Sequence, residues 1–345
     1  MEIYSPYKVL HHQDKIELLK KGEFPIPAQV QLDITNICNH NCSYCTYRKE
    51  SERAENIDFQ EKQFIETNRL LKLLEEIKEA GVKAIIIQGG GEPFVHPGII
   101  PVLKKINELG LELGIITNGT KIKQEHLPFI KKASWIRFSI DAASDETYIK
   151  VQGCTDNIPK TIIKQIKEEN PNIVIGMSFL TKPENYTEAY DFAIMAKELL
   201  VDNVRFSIVN TVNEEDIMKD YYEGYFDLID KASKLQTDKF RVFGLKNRKD
   251  ALKNCKNYDV CYYQHFVAVI AANGNLYPCC WTKNINEFKI GNINDMSFKE
   301  VWLSKLRMDK VLKQDLKKCP SCWFDKTNEL MNYHLKKDPK HVNFV

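Results

Sequence analysis

From residue 28 to about 210 the chain alternates two periodicities. Short apolar or apolar/polar-alternating runs fall at 28–34, 83–88, 111–116, 134–140, 173–179 and 204–209, and each is read as a strand. Helical stretches lie at 64–80, 98–109 and 184–200; in the first, Ile65, Leu70, Leu71, Leu73, Leu74 and Ile77 recur at helical spacing. Six strands alternating with helices predict a parallel sheet with right-handed crossovers. After residue 210 the pattern changes to a helix at 214–235, a lysine-rich link at 246–256, and a hairpin of 265–272 and 275–280 around Asn273-Gly274. A helix over 297–318 then leads into Cys319-Pro320-Ser321-Cys322, and the polar, basic tail after Trp323 offers a terminal helix. The division expected is an extension at 1–27, a core at 28–210, a connection at 211–254 and a second unit at 255–345.

Composition narrows the function classes. The 345 residues are 43% hydrophobic, enough to bury a core. With 49 basic and 47 acidic residues the formal net charge is +2, which gives no basic face for nucleic acid. No apolar run approaches the roughly eighteen residues of a membrane span, and residues 1–10 lack a signal-peptide pattern. The expectation is a cytoplasmic protein without membrane or nucleic-acid partners.

Ten cysteines in such a chain are read as metal ligands or catalytic thiols before disulfides. Cys38, Cys42 and Cys45 form a C-x3-C-x2-C loop after the first strand, and they can converge on one soft-metal centre. An iron–sulfur cluster with one open iron fits three thiolates; zinc would need a fourth ligand, for which His40 is available. Gly89-Gly90-Gly91-Glu92-Pro93 follows the second strand, where consecutive glycines serve either close ligand approach or a plain βα turn. Ser139 and Asp141 flank Ile140 and share a face at the end of the fourth strand, either to contact a ligand or to cap the next helix. Asn118 and Ser178 are further candidates at strand ends. Cys261, Cys279, Cys319 and Cys322 form a second group that suits structural zinc or an iron–sulfur cluster equally well. Cys154, Cys255 and Cys280 remain, with burial as small hydrophobes the simplest role. His11 and His12 read as surface residues.

The cysteine loop, with aromatic Tyr44 before its third cysteine, resembles the radical S-adenosylmethionine (SAM) superfamily. The C-terminal set resembles that family's SPASM/Twitch extension: Cys261, Gly274 and Cys279 in the C-x9–15-G-x4-C pattern, then 291–293, 297–302 and Cys319-x2-Cys322. No cysteine follows Cys322, which suits the shorter, one-cluster Twitch form. The resemblance implies an α/β fold, a partial (β/α)6 TIM-like barrel followed by a small α+β Twitch-type domain. It implies a 4Fe–4S cluster on Cys38, Cys42 and Cys45 whose open iron binds SAM, and one auxiliary 4Fe–4S cluster on Cys261, Cys279, Cys319 and Cys322. It places SAM near Tyr44, near Gly89 to Pro93 with Glu92 at its amino group, and along the Arg137–Asp141 segment that includes Ser139, with Asn118 and Ser178 nearby. A G-x-I-x-G-x-x-E element is missing; only Gly176 stands near its place.

The activity implied is reductive cleavage of SAM to a 5′-deoxyadenosyl radical, with an electron from a donor such as flavodoxin or ferredoxin, then hydrogen abstraction from a small-molecule or peptide substrate. Two outcomes follow: a two-electron oxidation with the auxiliary cluster as electron acceptor, or an epimerisation or peptide modification with Cys280 as hydrogen donor. A core that begins near residue 28 favours a carbohydrate-like or nucleotide-like substrate over a leader-bearing peptide. A non-catalytic metal-binding regulator is the third reading, and it leaves Gly89 to Pro93 without a purpose.

Overall fold

The computed structural model describes residues 4–45, 47, 58–209, 217–244, 256–319 and 322–336. The six core strands are β1 (Gln29–Asp33), β2 (Ala84–Gln88), β3 (Glu112–Thr117), β4 (Trp135–Ser139), β5 (Val174–Thr181) and β6 (Asn203–Ile208). Each pairs in parallel with the next. The helices between them are α2 (Thr67–Glu79), α3 (Ile99–Glu108), α4 (Leu127–Ile130), α5 (Asp145–Gln152), α6 (Lys160–Glu169) and α7 (Ala189–Glu198), after a short α1 (Gln13–Lys20). The alternation expected from the sequence is therefore the architecture.

The sheet extends beyond six strands at both edges. After α8 (Tyr222–Ser233), β7 (Arg241–Phe243) adds in parallel to β6. At the other edge β8 (Val267–Ile270) lies parallel to β1, and β9 (Asn275–Tyr277) and β10 (Gly291–Asn292) follow antiparallel. Among the described residues the order is β10-β9-β8-β1-β2-β3-β4-β5-β6-β7, so the barrel is open. The Asn273-Gly274 turn forms as its sequence requires, with Gly274 in the left-handed region at φ 81°.

One predicted element breaks. Residues 297–318 form α9 (Phe298–Trp302), α10 (Lys305–Leu312) and a short 3-10 turn, Leu316–Lys318. Ser297 caps the expected start in a capping box with Glu300, and the break comes at Ser304, which accepts from the Arg307 N–H at 3.2 Å and so starts a new helix. The terminal helix is α11 (Asp325–His334). Most of the lysine-rich link, residues 214–216 of the expected 214–235 helix, and Cys255 lie outside the described residues.

Strand alternation sorts the core from the chamber. Ile136, Phe138, Met177, Val204 and Phe206 are fully buried in a core shared with the helices. The residues between them, Arg137, Ser139, Ser178, Arg205 and Ser207, line a cavity inside the open barrel. A second core joins Val9 and Ile16 to Phe266, Val267, Val269, Tyr277 and Met331, so the N-terminal extension, the hairpin and α11 pack as one.

Candidate functional site

The cysteine loop leaves β1 at Asp33 and is held to the barrel mouth on three sides. On the β2 side, the Gly91 N–H donates to the Thr35 carbonyl at 3.0 Å and the Glu92 N–H to the Ile37 carbonyl at 2.9 Å. A Cβ on Gly91 would sit 2.1 Å from the Ile37 carbonyl oxygen, so the glycine is required by the loop's own backbone. Beneath the loop, the Asn39 amide donates to Thr120 (2.9 Å) and Asp156 (3.2 Å) and accepts from Asn118 (3.1 Å). On the β5 side, the buried Lys182 ammonium donates to the Ser43 hydroxyl at 2.7 Å, and the Tyr44 hydroxyl donates to Asp141. His40 is buried, and its ring nitrogens sit 3.4 Å from Gln152 and 3.2 Å from Thr120. Burial lowers its pKa, and the imidazole serves to seat the loop.

Two carboxylates organise the rim from within. Glu92 is 2% exposed and accepts from the Phe94 N–H (3.0 Å), the Thr117 hydroxyl (2.6 Å) and the Asn118 N–H (2.7 Å). Burial raises its pKa against those three bonds. Asp141 does not continue the strand: β4 ends at Ser139, and Asp141 takes φ 60°. Its carboxylate turns back to accept from Tyr44, from Gln152 (2.9 Å) and from the Leu180 N–H (2.6 Å). Burial pushes its pKa up to about 6. The following helix is capped by Ser144, which removes the capping role considered for Ser139 and Asp141.

A cavity of about 560 Å³ gathers Cys38, Cys42, Cys45, Tyr44, Gly89, Gly91, Glu92, Asn118, Ser139, Asp141, Ser178 and Cys280. Gly90 and Pro93 are outside its lining; Pro93 opens a 3-10 turn capped by Glu92. Burial, with Asp141 nearby, pushes the Cys42 thiol up to about 12, and its S–H donates to the Gln152 side-chain Oε1 at 2.9 Å. A metal that demands thiolates would displace that proton, so binding and deprotonation are coupled.

A smaller cavity is lined by Cys261, Cys279, Cys319 and Cys322. N–H groups face three of these sulfurs: Asn328 to Cys261 (3.6 Å), Gln314 to Cys319 (3.3 Å) and the Phe324 backbone to Cys322 (3.4 Å). N–H donors of this kind stabilise thiolate ligands and tune a cluster's potential. Among the described residues no three His, Cys, Asp or Glu side chains converge tightly enough for a single metal ion. Three and four cysteines ringing separate cavities are a donor set that fits two clusters.

Several residues of the site escaped the sequence reading. Trp281 lines both cavities, and Trp323 lines the larger one and stacks on Trp281 at 6.5 Å. Each directly follows a cysteine, the one local signal available. Lys283 donates to Asp33 at 2.5 Å with both side chains buried, and it had no signal. Burial pulls the Lys283 ammonium down, but Asp33 and Tyr47 raise its pKa above the ordinary value overall. Cys279 and Cys280 lie in a turn beyond β9 and face different cavities, Cys279 the smaller and Cys280 the larger. Cys154 lies outside the lining of either, half-buried against the main core.

Known proteins match this arrangement. The model of the radical SAM superfamily matches residues 32–196, and that of an iron–sulfur cluster-binding domain, SPASM, matches residues 261–323. A tungsten-containing aldehyde ferredoxin oxidoreductase cofactor-modifying protein of Pyrococcus furiosus is 24% identical over 297 residues, covering 79% of this chain and 80% of the relative. An AdoMet-dependent heme synthase of Methanosarcina barkeri is 23% identical over 332 residues, covering 87% and 89%. Streptococcus suis SuiB, solved with its precursor peptide SuiA, superposes with a TM-score of 0.66 at 17% identity, over 94% of this chain and 78% of that one. The first cysteine set falls within the one matched range and the second within the other, and the chain belongs to the radical SAM superfamily and carries a SPASM-type region for auxiliary iron–sulfur binding.

Proposed function

We propose that this radical SAM enzyme carries out a two-electron oxidation, a dehydrogenation, of a small-molecule substrate. When bound, SAM and the two clusters supply a 5′-deoxyadenosyl radical and a nearby electron acceptor. In balance, the substrate loses one hydrogen atom to the adenosyl carbon, then one electron to the auxiliary centre and one proton to solvent. The carrying observation is the shared wall: Trp281 lines both cavities, with Cys279 lining one and Cys280 the other. An acceptor held by the second cysteine set would lie directly behind the reaction chamber. The chain's own residues would seat SAM against Gly89, Gly91 and Glu92, steady the loop through Tyr44 and Asp141, and close the chamber from water with Trp281 and Trp323. The relatives are a cofactor-modifying protein and a heme synthase, so kinship supports the radical step and leaves the substrate to the cavity.

Cys280 in the cavity lining supports a second reading, hydrogen return to the substrate radical and net epimerisation. The two are separated with anaerobically reconstituted enzyme, SAM and dithionite. A panel of small hydroxyl-bearing compounds is screened for any that raises 5′-deoxyadenosine above the uncoupled rate. Oxidation predicts one SAM consumed per product and turnover retained in Cys280→Ala. Solvent deuterium in the product, lost together with turnover in Cys280→Ala, would replace it with epimerisation.

A further inference from the structure

The indole of Trp281 stands in the wall between the two cavities and lines both. Its Nε1 is buried, and among the described residues no acceptor takes its proton. A buried donor left unsatisfied costs about 1–3 kcal/mol, so such a group persists where something completes it. The chamber is about 560 Å³ and the second cavity about 20 Å³. An N–H directed into the larger, open space would be reached by water, and this one is not. Burial therefore turns the Nε1 edge away from the chamber and leaves the second cavity as the side where its acceptor stands.

The ring is held from the barrel. Trp281 stacks on Trp323 with centroids 6.5 Å apart and planes 13° apart, and the Trp323 ring lies 4.2 Å from the Arg205 guanidinium on β6. On its other sides the second cavity already has donors. Asn328 of α11 faces Cys261, Gln314 after α10 faces Cys319, and the Phe324 N–H faces Cys322. Each N–H dipole presents its positive end to sulfur. That stabilises the added electron of a reduced centre and so raises its potential. Tyr263, which lines the cavity, stacks on Phe324 at 3.5 Å, and among such rings each dipole acts through a low dielectric.

We propose that the Trp281 indole N–H donates to a sulfur of the auxiliary iron–sulfur centre and raises that centre's potential from the wall that faces the substrate. This rests on the oxidation proposed above, in which the centre takes the second substrate electron. Trp281 then serves both spaces at once: its ring closes the chamber, and its N–H favours arrival of the electron behind it.

The test is pulsed EPR on reconstituted, dithionite-reduced enzyme whose tryptophan carries nitrogen-15 in the indole. SAM binds the centre on Cys38, Cys42 and Cys45, so the signal that SAM leaves unchanged is the auxiliary one. Wild type shows a nitrogen coupling on that signal, and Trp281→Phe loses it. Potentiometric titration follows with Trp281→benzothienylalanine, which keeps the ring and the stack but puts sulfur in place of the N–H. At a fixed ambient potential its ratio of reduced to oxidised auxiliary centre falls about tenfold, a downward shift of about 59 mV for one electron. The midpoint of the SAM-binding centre does not move. Absence of the coupling in wild type overturns the bond whether or not the variants fold, and so does a coupling that Trp281→Phe retains. Enzyme with no SAM-insensitive signal offers the N–H no acceptor and overturns it too. An unchanged auxiliary midpoint in Trp281→benzothienylalanine overturns the tuning. Solvent deuterium in the product, lost with turnover in Cys280→Ala, sinks the oxidation and leaves the hydrogen bond standing. One SAM consumed per oxidised product, without a nitrogen coupling, does the reverse.

Discussion

The two cysteine sites are built on opposite plans. Cys38, Cys42 and Cys45 come from one loop of eight residues, pinned to the barrel mouth by backbone and polar side-chain bonds. Cys261, Cys279, Cys319 and Cys322 are drawn together from three separated segments, and aromatic packing does the drawing: Tyr263 stacks on Phe324 at 3.5 Å and Trp281 on Trp323 at 6.5 Å. The first site is a rigid local cradle. The second depends on hairpin, α9, α10 and α11 all being in place. A centre that must receive SAM profits from a fixed loop in an open mouth; on the oxidation proposed above, the second centre only accepts an electron and can be buried among rings.

The most damaging test of the local cradle is Gly91→Ala. A methyl group 2.1 Å from the Ile37 carbonyl oxygen forces the loop and the β2 turn apart. The N-terminal cluster should fail to assemble while the C-terminal one, built from other segments, survives, so reconstituted iron falls from about eight to about four per chain. Formation of 5′-deoxyadenosine should vanish. Retention of full iron and SAM cleavage would show that the loop does not need this backbone contact.

The next test asks how the two plans are joined. Asp33 ends β1, and Lys283 follows the hairpin; their buried ion pair ties the barrel edge to the second site. Removing one partner leaves an uncompensated buried charge, so Lys283→Met should cost about 3–5 kcal/mol in denaturant unfolding. Replacing both, Asp33→Leu with Lys283→Met, should recover most of that loss. A single variant within about 0.5 kcal/mol of wild type would mean that water already screens the pair.

Legibility in the sequence follows the same division. The six strands were readable because each alternates or runs apolar, and the cysteine loop and glycine turn because their chemistry is contiguous. The break between α9 and α10 does not show in the apolar spacing, which still reads as helical across it, although Ser304 is an N-cap residue type standing at the break. The extension of the sheet by β7 and β8 was beyond reach: parallel pairing of β8 with β1 joins segments more than two hundred residues apart. Asp141 was placed by simple alternation, which its left-handed backbone breaks.

The smallest effect expected concerns acid. In the second region, charge is buried against rings: Arg307 is fully buried, 3.7 Å from the Trp302 ring centre, and approaches His265 Nδ1 at 3.4 Å. Phe24 stacks on His265 at 4.9 Å. Burial, with Arg307 adding to it, lowers the His265 pKa from 6.5 to about 3. The folded state therefore refuses a proton that the unfolded chain accepts below pH 6.5. His265 costs nothing above that pH, and stability falls as pH drops from about 6.5 toward 3, with a slope approaching about 1.4 kcal/mol per pH unit for this one group. His265→Gln should flatten that part of the profile when unfolding is followed by denaturant between pH 7 and 4.5. The difference between variant and wild type is the quantity to read, because His12, His40, His96 and His126 are also lowered by burial and remain in both proteins. Parallel profiles would show that the acid sensitivity belongs to the histidines of the barrel and the N-terminal extension.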